Sequence, residues 1–410
     1  MDILLNKTRA VQVMNRHNLD ALVATLPENV VYASNYGGHG AYDYRGLQLY
    51  VILKRANIDD AVLIVPVSEV PAVACYPTWI KDIRTYGSFY TYGDPNPAGL
   101  QGIVRTIHEM RQSAPRGATA FGVLTSALAD KGLASGRIGL DEMNITVPAW
   151  EKLKVALPHA ELVPAFAIFR EVRMVKTPAE VALIRQAFRV TEQALRDAIS
   201  VIKEGASEFE VYQTFRESVA GQGGTFGFWT SGAGPHSAIP GITPSPELKL
   251  KKGDLYRLDC GSIWEHAWSD TGRTAVIGEP SPRQKQIYAA LLHGVENALR
   301  ITRPGQKASE LFKAVVSTVR EEAVPEYERH HTGHSIGLEF YEPPLVAPPS
   351  DSNVFLAGVG DIVLEAGMVL NLEAPYYDMG FGGLQIEKTV LITPTGWEPI
   401  TANPNDMFIR

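Results

Sequence analysis

Four carboxylates in the last third of the chain each lie beside a strand-like run, and this arrangement limits the folds open to the chain. Asp259 ends an alternating run, and Asp270 lies just before a β-rich run. Glu373 and Glu387 repeat this plan, with a glycine-rich turn between them. The runs therefore predict two β-hairpins, each of which brings two acids to one place.

A histidine between the two predicted hairpins completes a set of metal ligands. His334 lies between Gly333 and Gly337, and glycines let the backbone approach a ligand closely. Buried carboxylates repel one another unless cations lie among them. Oxygen ligands with one nitrogen suit two divalent ions such as Mn, Co, Fe or Zn. Two such ions, about 3.5–4 Å apart, would lower the pKa of a water molecule between them and supply hydroxide at neutral pH.

Two local patterns predict how particular side chains are placed. The run of residues 254–259 alternates, so Arg257 and Asp259 share one face of a strand. Further upstream, Thr177 is followed by proline and then by Glu180 in the capping-box position. This second pattern predicts the start of a long helix.

Five segments of the chain resemble the pita-bread metallohydrolases, peptidase family M24. This family includes Xaa-Pro aminopeptidases, prolidases, methionine aminopeptidases and the metal-free creatinase branch. The segments that carry the resemblance are residues 258–261, 269–274, 332–344, 367–375 and 383–390. The resemblance implies an α+β fold, in which a smaller α/β creatinase-like N-terminal domain (residues 1–168) precedes a catalytic C-terminal pita-bread domain (residues 169–410).

The same resemblance implies a role for each member of the ligand set. Asp270 and Glu387 would bridge two metal ions, which are expected to be Mn. Asp259 would complete one metal site, while His334 and Glu373 would complete the other. Glu373 is also the expected catalytic residue that manages the proton of the attacking water. The complete set argues against the metal-free mechanism, because creatinase lacks these ligands.

The stretch from Ser231 to Gly241 leaves one catalytic assignment open. In the peptidases, a histidine that binds substrate and shuttles a proton precedes the first ligand strand. The spacing here is longer than in those relatives. If the extra residues follow His236, then His236 takes the catalytic role; if they precede residues 238–240, this histidine is missing.

Two further positions depart from the peptidase pattern. Tyr341 stands where the family usually has histidine, and a tyrosine with a pKa near 10 can donate to an oxyanion but is a poor base at neutral pH. Gln385, a candidate substrate-binding residue, stands where prolidase-like members carry arginine. The two departures predict either a changed substrate or family drift with peptidase activity intact.

A loop in the N-terminal domain supplies two more candidate substrate-binding residues, His39 and Arg45. In creatinase and prolidase relatives a similar segment reaches the active site of the partner subunit. The resemblance therefore implies a homodimer, with Arg45 placed to bind a carboxylate through its guanidinium.

Composition limits the remaining function classes. The net charge of −7 gives no electrostatic footprint for nucleic acid. The chain shows no apolar run long enough to span a membrane and no secretory leader, which predicts a cytoplasmic protein. We expect a dinuclear-metal-dependent hydrolase that cuts an amide or peptide C–N bond in a small molecule or dipeptide, similar to Xaa-Pro peptidases. The alternatives are a creatinase-like amidinohydrolase, a metal-dependent lyase or a non-catalytic binding protein.

Overall fold

The computed structural model of the 410-residue chain describes residues 2–38, 48–76, 78–90, 97–112, 117–349 and 361–410. These residues form two compact units, and the boundary along the chain lies between Arg173 and Met174. Each unit has its own hydrophobic core.

The N-terminal unit alternates helices with short strands. Its elements are α1 (Lys7–Arg16), β1 (Ala21–Ala24), α2 (Pro27–Ser34), β2 (Tyr50–Lys54), β3 (Val62–Pro66), α3 (Val70–Cys75), β4 (Asp82–Tyr86), α4 (Gly102–Gln112), α5 (Ala120–Asp130), β5 (Arg137–Leu140), α6 (Val147–Ala156), β6 (Glu161–Pro164) and α7 (Phe166–Arg173). Among the described residues the sheet order is β4-β3-β2-β1-β5-β6. β2 runs antiparallel to β1 and β3, whereas the outer pairs are parallel.

The described residues of the C-terminal unit form two sheets and two helical pairs. Its elements are α8 (Pro178–Ser200), α9 (Glu208–Gly221), β7 (Thr225–Trp229), β8 (Gly232–Ala233), β9 (Leu255–Trp264), β10 (Ala267–Trp268), β11 (Thr271–Val276), α10 (Pro282–Ile301), α11 (Ala308–Glu322), β12 (Gly333–Ser335), β13 (Glu342–Leu345), β14 (Val369–Asp378), β15 (Gly382–Thr393), β16 (Gly396–Pro399) and β17 (Phe408–Ile409). One sheet has the order β10-β9-β11-β17, with β7 and β8 also paired to β9; the other has the order β13-β12-β14-β15-β16.

The start of α8 is the predicted capping box. Thr177 accepts a hydrogen bond from the Glu180 backbone N–H, and the Glu180 side chain accepts one from the Thr177 N–H. The buried face of α8 includes Phe188 and Leu195, as its helical apolar spacing indicates. The sequence prediction of this helix is therefore confirmed.

Helices cover both sheets of the C-terminal unit. Leu195 of α8 and Phe215 of α9 pack with Leu258 of β9 in one buried cluster. In a second cluster, Leu291 of α10 and Val315 of α11 pack with residues of β14 and β15. The two hairpins that carry the predicted ligands are therefore fixed by packed helices. No helix in the described part of the chain is long and apolar enough to cross a membrane.

Candidate metal centre

The first hairpin consists of β9 and β11. Asp259 lies in the middle of β9, and Asp270 immediately precedes β11. The strands are antiparallel, and Asp259 is opposite Gly272. A Cβ atom at Gly272 would lie 2.7 Å from Gln385 Cγ and 2.8 Å from Glu387 Cδ. Glycine at this position therefore allows the second hairpin to approach the first closely.

The second hairpin consists of β14 and β15, and it places two predicted ligands directly opposite each other. Glu373 pairs with Glu387 in the antiparallel register. Asn371 Nδ2 donates to Glu387 Oε2 over 3.0 Å, and Gln385 Nε2 donates to Glu387 Oε1 over 2.6 Å. The Glu387 carboxylate is therefore oriented by two amides on the hairpin itself. Both predicted hairpins are present.

The two hairpins bring three carboxylates together. One oxygen from each of Asp259, Asp270 and Glu387 lies within 4.8 Å of the others, and the described residues include no other such group of possible ligands. Thr230 Oγ1 donates to Asp259 Oδ2 over 2.8 Å. These three side chains are the part of the predicted ligand set that the structure gathers most tightly.

His334 reaches the same group from β12. Its Nδ1 lies 2.9 Å from the Ser335 carbonyl oxygen, and its Nε2 lies 3.2 Å from Asp270 Oδ2. A carbonyl oxygen only accepts, so Nδ1 donates, and the lone pair of a neutral ring is on Nε2. Burial lowers the pKa of His334, which favours this neutral form. The imidazole therefore presents a metal-binding nitrogen beside Asp270.

Glu373 differs from the other acids in its charge state. Burial raises the pKa of Asp270 and Glu387 well above the usual range, and neighbouring carboxylates raise it further. Burial would raise the pKa of Glu373 as well, but a hydrogen bond from the His331 ring, whose Nδ1 is 2.9 Å from Glu373 Oε1, helps to lower it to about 2. The charge of Arg329 acts in the same direction. Glu373 is therefore an anion, whereas Asp270 and Glu387 compete for protons in the absence of a cation.

The donor set fits a divalent cation. Asp270 Oδ1 is buried, and no group among the described residues forms a hydrogen bond to it. The lone pair of His334 faces Asp270, and one oxygen from each of three carboxylates converges there, so the donor atoms share one point at which a cation could bind. Buried polar atoms normally have partners, and a cation would satisfy these at once.

The remaining predicted residues lie at different places. The Tyr341 ring stacks on His334, with centroids 3.9 Å apart, and burial raises the pKa of its hydroxyl. His236 lies in a short 3₁₀ helix, and its Nδ1 is 2.9 Å from Glu208 Oε2. Gln385 contacts Glu387, as described above. His39 and Arg45 lie outside the described residues.

Two contacts of the site were missed from the sequence. His331 pairs with Glu373, and Arg257 donates to Asp259 Oδ2 over 3.3 Å. The alternation in β9 already placed Arg257 on the face of Asp259, and this alternation was the sequence signal that could have revealed their contact. His331 is three residues before His334, a spacing that by itself gives no reason for a contact with β14.

A helix-covered pair of carboxylate hairpins with one histidine, preceded by an α/β unit, defines the pita-bread class of metal-dependent hydrolases. The family model for metallopeptidase family M24 matches residues 182–394, and that for the creatinase/prolidase N-terminal domain matches residues 7–175. The chain belongs to metallopeptidase family M24, and membership of this family of metallopeptidases implies divalent metal ions. It is a metal-dependent, peptidase-like hydrolase, and the predicted family, fold and enzyme class are confirmed.

Similar proteins agree with this assignment. The Xaa-Pro dipeptidase of Pyrococcus horikoshii is 30% identical over 260 residues, which cover 63% of this chain and 71% of the relative. The uncharacterized peptidase YqhT of Bacillus subtilis is 27% identical, with 67% and 75% covered. Dipeptidase PepE from Mycobacterium ulcerans has a similar fold, with a TM-score of 0.75, 24% identity and coverage of 98% of this chain and 96% of that one. The prolidase of Pyrococcus horikoshii gives a TM-score of 0.73 at 23% identity, with 98% and 99% covered.

Proposed function

We propose that this chain is a dinuclear metallohydrolase that cuts Xaa-Pro dipeptides or closely similar small amides. The observation that carries the proposal is the convergence of Asp259, Asp270 and Glu387, with the lone pair of His334 directed at the same place. The Xaa-Pro dipeptidase of Pyrococcus horikoshii supports the choice of substrate. Mn is the expected metal, with Co, Zn and Fe as alternatives.

The proposed ligands follow the family arrangement. Asp270 and Glu387 would bridge the two ions, Asp259 would complete one site, and His334 and Glu373 would complete the other. When bound, the ions would polarise the scissile carbonyl and lower the pKa of the attacking water. Glu373 is ionised at neutral pH, so it suits a ligand, and it would hold a proton from the water only briefly.

Two further residues have proposed roles in the transition state. The raised pKa of Tyr341 keeps its hydroxyl protonated at neutral pH, so it can donate to an oxyanion but does not act as a base. His236 is oriented through Nδ1 by the buried carboxylate of Glu208, and this leaves Nε2 for proton exchange. The role of His236 as the proton shuttle of the family remains a prediction.

Other parts of the proposal rest on the sequence. We propose that residues 1–168 and 169–410 act as the N-terminal and catalytic domains, that the chain forms a homodimer in the cytoplasm, and that His39 and Arg45 contact the substrate. Sedimentation velocity tests the dimer, since a single monomeric species at micromolar concentration would contradict it.

The hydroxyl of Tyr341 also favours a second candidate function. A hydroxyl donor at this position would serve a metal-dependent lyase, because removal of a proton beside a carbonyl develops negative charge on the carbonyl oxygen. The creatinase-like amidinohydrolase stays the other alternative. A substrate panel separates the candidates. The metal-free protein receives Mn²⁺ and then Xaa-Pro dipeptides, non-peptide amides, guanidino compounds or β-elimination substrates, with Asp270→Ala as the inactive control.

We expect Mn²⁺ to restore hydrolysis of at least one Xaa-Pro dipeptide, with turnover on the order of 10 s⁻¹. The product must be free proline, measured by chromatography. An unsaturated product from an elimination substrate, without proline release from any dipeptide, would replace the peptidase by the lyase. Urea release from a guanidino compound alone would support the amidinohydrolase.

Tyr341→Phe tests the oxyanion role within the same panel. The phenylalanine ring retains the stack on His334, so metal content should stay that of the unmodified protein. Loss of the donor should lower kcat by roughly 10²-fold with little change in KM, because the contact forms chiefly in the transition state. An unchanged kcat would remove Tyr341 from the mechanism.

A further inference from the structure

Arg257 is a fully buried cation inside the proposed metal centre. Its Nη1 donates to Asp259 Oδ2 over 3.3 Å and to Gln385 Oε1 over 3.1 Å. Its Nε donates to the Ser237 carbonyl over 2.8 Å, and its Nη2 donates to the carbonyl of Thr230. The guanidinium is thus held in a single orientation by acceptors on three separate segments.

Gln385 connects Arg257 to the second hairpin through the hydrogen bonds of its side-chain amide. Arginine has no acceptor, so the amide oxygen of Gln385 faces Arg257 and the amide nitrogen faces Glu387. One guanidinium therefore contacts Asp259 directly and Glu387 through one amide. These two acids lie on different strands, and both belong to the group of three converging carboxylates.

The resemblance to prolidase-like members implies an arginine at position 385, and this chain has glutamine there. The structure instead has an arginine on the facing strand, next to Gln385. Arg257 Nη1 and Gln385 Oε1 are 3.1 Å apart, so the two side chains contact each other directly. A Cβ atom at Gly272 would lie 2.7 Å from Gln385 Cγ, so the Gln385 side chain also packs closely against β11.

We propose that Arg257 is a positioning residue, which supplies a fixed positive charge from β9 and holds Asp259 and Glu387 in place for metal binding. The proposal rests on the proposed metal centre. A fixed cation offsets the repulsion among the buried acids, and its planar fork fixes direction as well as charge. Such outer contacts typically affect metal affinity by 10–100-fold.

The test is an exchange of the two side chains, read by calorimetric titration of Mn²⁺ into metal-free protein. Arg257→Gln should weaken Mn²⁺ binding by about 10–100-fold. Gln385→Arg alone should also weaken binding, because two guanidinium groups then share the space of one. The double variant Arg257→Gln/Gln385→Arg should recover affinity to within about threefold of the unmodified protein, because the coupling between contacting residues is not additive.

Arg273→Gln is the matched control. Arg273 is equally buried in the adjacent strand, but its guanidinium donates to the backbone carbonyls of Gly272, Glu387, Asn403 and Pro404. Its loss should lower the melting temperature of the metal-free protein and leave the Mn²⁺ affinity of the folded fraction within about threefold. A purely structural role of Arg257 predicts this same result for Arg257→Gln.

The outcomes separate this proposal from the proposed function. No Mn²⁺ binding by the unmodified protein would overturn the metal centre itself. Binding by the unmodified protein and equal binding by Arg257→Gln would overturn the positioning role alone, as would a double variant as weak as either single one.

If Arg257→Gln does not fold, Gln385→Leu provides the test. It removes the relay, which is the amide that connects Arg257 to Glu387, and it keeps the contact of Arg257 with Asp259. A loss of roughly tenfold in Mn²⁺ affinity supports the relay, and unchanged affinity overturns it.

Discussion

Each of the two units contains a fully buried aspartate, and the two aspartates differ in what surrounds them. In the N-terminal unit, Asp141 Oδ2 accepts from Asn29 Nδ2 at 2.7 Å and from the Leu26 N–H at 2.9 Å, and Oδ1 accepts from the Met143 N–H at 3.4 Å. In the C-terminal unit, Asp270 is crowded by other carboxylates, and its Oδ1 has no hydrogen-bond donor among the described residues.

Burial raises the pKa of both side chains, so the direction of the shift does not distinguish them. Their partners do. Neighbouring amides donate hydrogen bonds to both oxygens of Asp141. Because these amides belong to the start of α2 and to the segment after β5, the buried carboxylate connects the two segments. Asp270 has the Asn371 amide as one neighbour, but it also has like charges and a histidine lone pair beside it, and such crowding is stable only with a cation or a proton. The set of partners, rather than burial, separates a structural acid from a metal ligand.

The largest expected effect follows from removal of the ligand. Asp270→Ala should lose most of the bound metal, and hydrolysis should fall by about 10³-fold or more, because metal ions contribute several kcal/mol to such reactions. Elemental analysis of dialysed protein measures the metal. If Asp270→Ala still binds two equivalents of metal, Asp270 is not a metal ligand and is a structural acid like Asp141.

A second expected effect concerns pH in the metal-free protein. The pKa values of Asp270 and Glu387 are higher in the folded than in the unfolded chain, so the folded state binds more protons above about pH 4. Stability should therefore fall as pH rises, by at most about 1.4 kcal/mol per pH unit for each extra proton held. Glu373 has the opposite shift, and its stabilising share is lost only in acid, as pH falls towards about 2.

Mn²⁺ should abolish the part of this pH dependence that belongs to the metal centre, because the metal replaces the protons. The part that belongs to Asp141 should persist with metal present. Urea unfolding between about pH 5 and pH 8, with and without Mn²⁺, measures both parts. If the free energy of unfolding changes with pH by the same slope with and without Mn²⁺, the distinction between the aspartates is contradicted.

The smallest effect is expected for Asp141 and is confined to stability. Asp141→Ala leaves the donors of Leu26 and Asn29 unpaired inside the N-terminal unit, at a cost of about 1–3 kcal/mol. Metal content should not change. Urea unfolding gives the loss of stability, and the same elemental analysis is the control. A loss of bound metal from stably folded Asp141→Ala would mean that the two units are not separate in this respect.

Much of the catalytic unit could be predicted because its information is local. Strand alternation and glycine turns placed the four acids on two hairpins, and the capping box fixed the start of α8. The resemblance of the motifs to family M24 then gave the fold, the enzyme class and the dependence on metal. These features were readable because each depends on residues a few positions apart or on a short conserved string within a family.

The contacts that adjust the site were not predictable in the same way. Arg257 and Gln385 are 128 residues apart, and their hydrogen bond depends on how the two hairpins face each other across Gly272. The pairing of His331 with Glu373 and the stack of Tyr341 on His334 likewise depend on where β12 meets its neighbours. None of these distances follows from spacing along the chain.

The sequence by itself thus determined the ligand types, the hairpins that carry them and the family, because side-chain chemistry and strand periodicity are written in order along the chain. Only the tertiary structure decided which acids lack partners, which one stays ionised and where the compensating arginine lies. Those properties depend on through-space distances and on burial, and both arise when segments distant in sequence pack together.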